Sequence, residues 1–574
     1  MADKQIFTAI ALGIWCLFLN FPTTSTASKG SDAITITAKE IEAMNVNTMA
    51  DILNRIPGVR CGDTSVSIHG SSKVKVYVNG KPLNDPTATH GGVRWDMVDI
   101  DHIEKIEVFK GKGGVSHGSD AAGGVILIST GKITKFKGSV KTHVGRNDVF
   151  NAKTNATMLL GKMGLGLSGE YNTDDGYKLN NDKETHRLGG RLEYSPGDAA
   201  DFILTADYMN DERGLSGLPD FPTPFSRKET DISIFSLLSS FNAVTAKTYL
   251  NQGKKHNTDI SKGLDKSIKV KKWGQDIKYN WKFNKNNGFN LGAAWELNTA
   301  SGTAFSSKEE NSLSAFSTWS RSFDSLPITL SMGLRGNYNS DFENAVNPEL
   351  KIIYKKNSWQ ISASYNRANN TPSFYHRYNE TSSTIPNPDL TMETSNNYEL
   401  GLSMTHSDAL STHVTLFYNR LKDKITYVRN DYGIGQYQNL GEATYKGGDL
   451  GINYRPLEQL AINGSYTYLE AKNEKTGLWL TAKPAHRANV DFNFTPTPKL
   501  FFNLNLLYTS KNYTNKSNTR SVSQYLIANA RAEYFFQKFS VFSEIENIAD
   551  TTYYFVDGLL APPLLWIVGL EYKF

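Results

Sequence analysis

The residues whose spacing could support chemistry are glycines in the stretch Asp99–Thr130, which reads DIDHIEKIEVFKGKGGVSHGSDAAGGVILIST. A glycine-rich loop can hold a phosphate, but a P-loop needs GxxxxGK[ST] and a dinucleotide-binding loop needs GxGxxG. The run that begins at Gly111, GKGGVS, completes neither pattern. Because glycine adopts positive φ and allows close backbone approach, the run instead predicts a crossing that folds tightly between two strands.

The other reactive side chains do not suggest catalysis. The carboxylates are scattered, and no HExxH motif occurs. The two cysteines, Cys16 and Cys61, are too few to hold zinc or an iron–sulfur cluster by thiolate ligation. The N-terminal histidines could form a metal cluster or be ordinary hydrogen-bonded residues; they are His69, His90, His102 and His117. We therefore expect neither an enzyme, nor a resident cofactor, nor a metal site.

Several local signals predict a small mixed α/β domain that positions the glycine crossing. Thr48 and Asp51 form a capping-box-like helix start, and Pro57-Gly58 ends that helix. Lys73–Val78 alternates between apolar and polar residues, and Asn79-Gly80 indicates a tight hairpin turn. The glycine crossing then joins the strand Ile103–Lys110 to the apolar run Val125–Ile128, and the domain ends near Thr130.

Three of these segments resemble the plug domain of TonB-dependent outer-membrane transporters. They are MADILNRIPGV (Met49–Val59), VSIHGSSKVKVYVNGKPLND (Val66–Asp85) and IEKIEVFKGKGGVSHGSDAAGGVILIST (Ile103–Thr130). The chain departs from the family pattern with His69 for Arg, Asn79 for Asp, Lys112 for Pro and His117 for Tyr. Weaker motifs, among them RANNTPSFYHRY and NPDLTMETSNNYELGL, extend the resemblance through the rest of the chain.

Beyond Lys132 the hydrophobic period changes from helical to two residues, as in strands with one apolar face. Phe202, Leu204, Ala206 and Tyr208 share such a face. The mean hydropathy of −0.42 excludes a bundle of membrane helices but fits amphipathic strands. About 22 or 23 such strands can be placed, and the resemblance implies 22. The fold class expected is therefore mainly β, with a 22-stranded antiparallel transmembrane β-barrel around a mixed α/β plug in its lumen.

A soluble β-sandwich or propeller would alternate as well, and two features argue against it. The chain has 28 Tyr and 29 Phe, often near strand ends, which is typical of the aromatic girdles of membrane barrels. Its last residues, Trp566–Phe574, alternate and finish on Phe, like the assembly signal of bacterial outer-membrane barrels. Closure of the barrel is expected because an open sheet edge in lipid leaves backbone groups unpaired.

The predicted domains are a signal peptide over 1–27, an N-terminal segment over 28–40, the plug over 41–131 and the barrel over 132–574. The signal peptide has Lys4, an apolar core and a small-residue cleavage site at Ala27. The mature chain would then keep one thiol, Cys61, and no internal disulfide.

A short β-prone segment follows the predicted cleavage site. The resemblance implies that it is the TonB box, which adds a strand to the periplasmic TonB protein. Its residues are Ala33, Ile34, Thr35, Ile36 and Thr37. The other interpretation is an ordinary leading strand of the plug.

The resemblance also implies ligand binding by outer loops, of which the longest are expected around Glu212–Ser226, Gln252–Lys271 and Asn370–Asn387. Short loops favour a small ligand. Aromatic and cationic side chains could contact an anionic chelate, and loop aromatics could equally anchor the barrel to lipid headgroups. In haem receptors of the family a histidine near His376 binds haem, and the other interpretation is a loop histidine. The candidates are Phe221, Phe225, Arg227, Tyr375, His376, Arg377 and Tyr378.

The function implied is TonB-dependent import of a scarce small metal chelate across the bacterial outer membrane, with a ferric siderophore favoured over cobalamin or haem. Expected partners are TonB with its inner-membrane energising complex, the chelate and outer-membrane lipid, and the protein is expected to be a monomer. The weak net charge of +5 gives no support to nucleic-acid binding. The alternatives of other classes are a passive porin-like or adhesion barrel and a secreted β-rich enzyme.

Overall fold

The computed structural model describes residues 33–44, 46–88, 92–381, 383–430 and 432–574. The predicted signal peptide, residues 1–27, lies outside these ranges, as do residues 28–32. The N-terminal part contains strands β1 (Ile34–Thr37), β2 (Val59–Gly62), β3 (Ser65–Ile68), β4 (Val74–Val78), β5 (Lys81–Pro82), β6 (Ile103–Lys110) and β7 (Gly124–Thr130). Five of them form one mixed sheet in the order β1-β6-β7-β4-β5, and β2 pairs with β3 separately.

The helices are short and confirm the local signals. Thr48 and Asp51 make both hydrogen bonds of a capping box, which starts the helix Met49–Asn54. The other α-helices are Ala38–Met44, Gly114–His117 and Phe374–Tyr378, and the 3-10 helices are Trp95–Met97, Ile100–His102 and Ile260–Lys262. None of the described helices is long and apolar enough to cross a membrane.

The glycine crossing is as tight as its composition predicts. Gly111, Gly113, Gly118 and Gly124 all have positive φ. A Cβ on Gly124 would lie 1.9 Å from the Phe109 carbonyl oxygen, so a side chain at this position would prevent β6 from pairing with β7.

The remaining chain forms a closed antiparallel barrel in which successive strands pair and the last strand pairs with the first. This confirms the 22-stranded prediction. The strands are Lys137–Gly145, Val149–Leu160, Met163–Asp174, Lys183–Gly197, Ala200–Gly214, Ser226–Phe241, Val244–Asp259, Leu264–Asn284, Asn287–Gly302, Phe305–Ser322, Ile328–Asn339, Ala345–Lys356, Trp359–Asn370, Glu393–Ser407, Leu410–Arg429, Gly435–Leu457, Leu460–Asn473, His486–Thr497, Leu500–Thr509, Tyr525–Phe535, Phe539–Glu546 and Leu565–Lys573.

Side chains alternate across the wall as expected. In the closing strand Trp566, Val568 and Leu570 are exposed on the outside. Aromatic contacts occur near strand ends, for example between Trp281 and Phe289 and between Tyr194 and Phe202. Large apolar groups therefore cover the outer face of the wall, where the aromatic rings of a membrane barrel meet the two lipid interfaces.

The two rims of the barrel differ. The rim that carries both barrel termini has turns of two to five residues, and the opposite rim has connections of up to 22 residues. Short turns face the periplasm in outer-membrane barrels, so the second rim is the outer one. The outer connections contain the short strands Gly217–Leu218, Phe221–Pro222, Thr384–Ile385, Asn512–Tyr513, Ser521–Val522, Tyr554–Val556 and Leu559–Leu560.

The loop predictions were partly wrong. The connections at 215–225 and 371–392 confirm two of the three expected loops, but Gln252–Lys271 is not a loop. The two strands in this segment pair continuously and are joined by residues 260–263. The segment stays extended because cross-strand hydrogen bonds satisfy its backbone groups. Long connections at 474–485, 510–524 and 547–564 were missed.

The plug lies inside the barrel. Its hydrogen bonds and ion pairs reach strands all around the closed ring, from Lys153 and Asp207 to Glu399 and Asp491. Its own apolar core is formed mainly by the sheet and the helix Met49–Asn54. Since contacts on opposite sides of one ring require the contacting body to be enclosed by it, the plug fills the lumen.

Candidate functional site

The surface shared by the plug and the wall is built from buried charges. Asp449, on the strand Gly435–Leu457, is fully buried and accepts hydrogen bonds from two plug residues: His69 Nε2 lies 2.7 Å and Lys110 Nζ 2.6 Å from its Oδ2. The His69 ring stacks on Phe417 of the wall at 3.7 Å between ring centroids. A single wall carboxylate thus holds the start of the glycine crossing and the β3–β4 connection.

A second contact of this kind has the opposite polarity. Lys153 of the wall lies 2.6 Å from both Asp99, the N-cap of the 3-10 helix Ile100–His102 of the plug, and Asp101 within that helix. Burial disfavours the charged form of Asp99, but Lys153, a hydrogen bond from His102, and Arg187 together hold its pKa well below the usual value. Asp99 therefore stays ionised as a fixed anchor of the plug.

Further pairs surround the plug and leave most of its charges neutralised. Arg94 lies 3.4 Å from Asp211, a wall carboxylate with no exposed side-chain surface. Other pairs join Arg55 to Asp491, Lys81 to Asp207, Asp85 to Lys255, Asp96 to Lys183, and Lys112 to Glu399. Polar contacts of this kind can exchange with water and with one another more readily than an apolar core can separate.

Between the outer side of the plug and the wall lies a cavity of about 140 Å³. The plug contributes Lys75, Tyr77 and Asp120, and the connection Thr371–Phe374 borders it. Tyr249 donates a hydrogen bond of 2.6 Å to Glu296, and Lys272 lies 3.2 Å from the same carboxylate. Burial raises the pKa of Tyr77 to about 12, so its hydroxyl stays protonated and donates to the His117 carbonyl. The cavity is polar, with charges of both signs.

The glycine crossing contains one pattern that is also found in hydrolases. GVSHG at Gly114–Gly118 matches the GxSxG spacing around a nucleophilic serine, so the surroundings of Ser116 decide whether it could act as one. Among the residues that the structure describes, no base is hydrogen-bonded to the Ser116 hydroxyl. The Ser116 carbonyl accepts a hydrogen bond of 2.9 Å from Lys278. Burial and the cations Lys278, Lys247 and Arg335 lower the pKa of His117 far below its ordinary value. The serine therefore serves the contact between plug and wall.

The described part of the chain contains no group of three or more His, Cys, Asp or Glu residues that could hold a metal ion. His90 lies outside the described residues.

Comparisons with known proteins agree with this architecture. Residues 134–548 match the family model "TonB dependent receptor-like, beta-barrel", and residues 26–125 match the "TonB-dependent Receptor Plug Domain". The chain belongs to the TonB-dependent receptors. Members of this family are outer-membrane proteins, and they are receptors and transporters rather than enzymes.

Relatives of this receptor include a vitamin B12 transporter and siderophore receptors. The vitamin B12 transporter BtuB of Photobacterium profundum is 23% identical, with 90% of this chain and 88% of the relative aligned. The iron-regulated outer membrane virulence protein of Vibrio cholerae is also 23% identical, over 83% and 81%. The crystal structure of the siderophore receptor PirA from Acinetobacter baumannii superposes with a TM-score of 0.80 at 18% identity, covering 97% of this chain and all of that one.

The predicted ligand residues of the receptor lie on two outer connections. Phe221 and Phe225 are strongly exposed in the connection 215–225, and Arg227 at its end forms an ion pair with Asp182 at 2.7 Å. Neither these residues nor Tyr375–Tyr378 line the cavity described above. Their role in ligand binding stays a prediction.

The second group, in the helix Phe374–Tyr378, mostly contacts residues of neighbouring strands and connections. Arg377 is 1% exposed, lies 2.7 Å from Glu310, and stacks on Phe342 and Tyr378. His376 is 6% exposed, and its Nδ1 accepts a hydrogen bond from the Ser373 backbone as part of a capping box. Tyr375 is exposed. Sequence reasoning could not distinguish these roles, because the partners come from other strands.

The predicted TonB box forms β1, the edge strand of the plug sheet. Ile34–Thr37 pairs antiparallel with Lys105–Val108 of β6, and Ile36 is buried while Thr35 and Thr37 are exposed. This pairing agrees with the alternative interpretation, in which the segment is a leading strand of the plug. The role of the segment in TonB coupling stays a prediction, and so do the domain boundaries at 27, 40 and 131.

Proposed function

We propose that this receptor actively imports a scarce small metal chelate, a ferric siderophore, with energy supplied through TonB. The observation that carries the proposal is the filled lumen: the plug occupies the bore and is held by buried ion pairs on all sides. A passive porin would need an open bore. Passage of a solute through this barrel requires the plug to rearrange, and that requires energy delivered from the periplasmic side.

The ligand is captured at the outer rim, where the connections 215–225, 371–392, 474–485, 510–524 and 547–564 surround the vestibule. Exposed Phe221, Phe225 and Tyr375 offer aromatic surface to a chelate. His376 is buried and hydrogen-bonded, which disfavours haem ligation. A corrinoid is the second candidate, because similarity to the vitamin B12 transporter of Photobacterium profundum extends over 90% of this chain.

Coupling acts through Ala33–Thr37. The sheet order makes β1 a terminal strand, so its second edge has no neighbouring strand in the described chain. TonB, energised by its inner-membrane complex, adds a strand to this segment by backbone pairing and pulls on β1 and β6. The receptor works as a monomer in outer-membrane lipid.

The coupling is tested by a matched pair of variants at the exposed Thr35. Thr35→Pro removes a backbone donor and disfavours an added strand, whereas Thr35→Ala keeps both backbone groups. We expect energised uptake of the cognate chelate to fall about tenfold or more in Thr35→Pro and to be unchanged in Thr35→Ala, with equal ligand affinity in both. Uptake that does not depend on TonB would contradict the proposed function.

A further inference from the structure

Positive charges from both bodies gather where the outer half of the plug meets the wall and an outer connection, and they form no ion pairs in the described part of the chain. They are Arg60 of β2, Lys73 at the start of β4, Lys424 near the outer end of Leu410–Arg429, Lys483 of the connection 474–485, and Arg487 at the start of His486–Thr497. We call these five residues the cation cluster. Across the described residues, none of the five forms an ion pair with a carboxylate.

Hydrogen bonds to backbone carbonyls bring the cluster together. Arg60 donates to the Ala482 carbonyl at 2.8 Å, beside Lys483. Arg487 donates to the Val59 carbonyl at 2.7 Å, beside Arg60. These bonds fix two guanidinium groups and the connection 474–485 against β2, but carbonyl oxygens do not neutralise the charges.

Lys424 and Lys73 extend the cluster towards the cavity. Both Lys73 and Lys516 lie within electrostatic range of Lys424, and Lys73 lines the cavity between plug and wall. The carboxylate that acts on Lys424 is Glu393, which accepts a hydrogen bond of 2.8 Å from the Ile425 backbone. One acid thus faces several cations.

Lys483 is the member of the cation cluster whose protonated form is disfavoured by its surroundings. Burial, with Arg60 and Lys424 as like charges, lowers its pKa to about 7. The side chain is half-buried and has no hydrogen-bond partner among the described residues. A half-buried cation that forms no ion pair is suited to an anion that arrives from outside, because the anion supplies charge-assisted hydrogen bonds.

We propose that the cation cluster is an anion-binding subsite that receives the negatively charged face of an Fe(III) chelate with carboxylate or catecholate oxygens. This inference rests on the proposed function and narrows it, because a polyanionic chelate gains charge-assisted hydrogen bonds here whereas a neutral corrinoid or a cationic hydroxamate complex does not. Arg60 belongs to the plug and Lys483 to an outer connection, so one bound anion would join the vestibule to the plug.

The test uses the full-length receptor in detergent micelles with three probes: the trianionic Fe(III) complex of a tris-catecholate, neutral cyanocobalamin, and a cationic Fe(III) trihydroxamate. We expect the trianionic probe to bind most tightly and to weaken with added salt. Lys483→Glu should lower its affinity about tenfold or more, and Lys483→Arg should keep it within about threefold. Lys424→Gln offers a second, independent loss of charge.

The matched control is Lys266→Glu, which reverses an exposed lysine outside the cluster and should change affinity less than about threefold. Heat-modifiable gel mobility confirms that each variant is folded. Equal affinity of wild type and Lys483→Glu for the trianionic probe, or preference for the neutral or cationic probe, would overturn the subsite. TonB-dependent uptake is measured separately. Energised uptake of a neutral or cationic chelate would contradict the subsite and support the proposed import function. Binding of the trianionic probe without energised uptake would support the subsite and contradict the import function.

Discussion

Two regions of the plug surface meet the wall in contrasting ways. In one, buried plug charges have opposite charges on the wall, as in Asp99 with Lys153 and Lys110 with Asp449. In the other, the cation cluster, Arg60 and Lys483 face each other without an acidic partner. Neutralised charges hold two bodies together at a fixed distance, and charges of one sign repel until an anion comes between them.

The difference suggests that the two regions of the interface between plug and wall have different roles. The paired contacts retain the plug when no ligand is present, and the cation cluster is strained until it is filled. Four variants and conditions can break or sharpen this comparison, and one assay serves two of them. Cys61 is the single cysteine in the described residues and is buried in the plug, so its rate of labelling by a maleimide reports plug opening.

The largest effect is expected for Asp449→Asn. This substitution leaves the Lys110 ammonium buried with no carboxylate to pair with, which should cost about 3–5 kcal/mol of plug stability. Urea-dependent labelling of Cys61 measures the change. Replacing Lys110 by Met in the same chain should recover part of the loss, and an unchanged labelling midpoint in Asp449→Asn would show that the pair does not retain the plug.

The next effect concerns pH. An anion stabilises the protonated form of Lys483, so its pKa rises from about 7 when the trianionic probe binds, and a proton is taken up. Affinity is therefore highest below pH 7 and falls with rising pH, by up to about tenfold per unit. Titrations between pH 6 and 8, against Lys483→Arg as the pH-insensitive control, check this dependence, and a flat wild-type profile would contradict it.

A smaller effect of opposite sign is expected for Lys483→Met. Removing one unpaired cation relieves repulsion with Arg60 and Lys424, so the unliganded plug should become more stable by about 1 kcal/mol. Slower labelling of Cys61 in urea is the expected result. Destabilisation similar to that of Asp449→Asn would mean that Lys483 belongs with the paired contacts.

The smallest effect should come from Arg227→Gln. The ion pair with Asp182 is about 40% exposed on both sides, and exposed pairs contribute about 0.2–1 kcal/mol. Thermal unfolding should therefore change little. A loss of affinity for the trianionic probe that exceeds this small change would support Arg227 as a ligand contact, and unchanged affinity would remove it from the predicted site.

Much of the fold could be predicted because its signals are local. The capping box at Thr48, the Asn79-Gly80 turn and the glycine crossing each depend on residues within a few positions of one another. Strand alternation, as at Phe202–Tyr208, depends only on which side of the wall meets lipid. This period indicated about 22 or 23 strands, and the family resemblance implied the 22 that the barrel has.

The candidate site was less predictable because its partners are distant in the chain. Arg377 and His376 have the composition of ligand residues, but Glu310, Phe342 and Tyr437 occupy them. The segment at Gln252–Lys271 is rich in lysine, as a loop would be, yet the neighbouring strands extend along it. Residue type alone does not reveal such neighbours.

The sequence by itself determined the class of protein, since a two-residue period, a glycine-rich signature and a final aromatic strand are written in consecutive residues. Only the tertiary structure decided which charges are neutralised. Lys110 lies in a plug motif and Lys483 in an outer connection of the barrel, and residue type alone marks neither as different from a solvated cation. Closure of the barrel around the plug brings Asp449 to the first and Arg60 to the second, because the register of strands hundreds of residues apart places the side chains across the lumen.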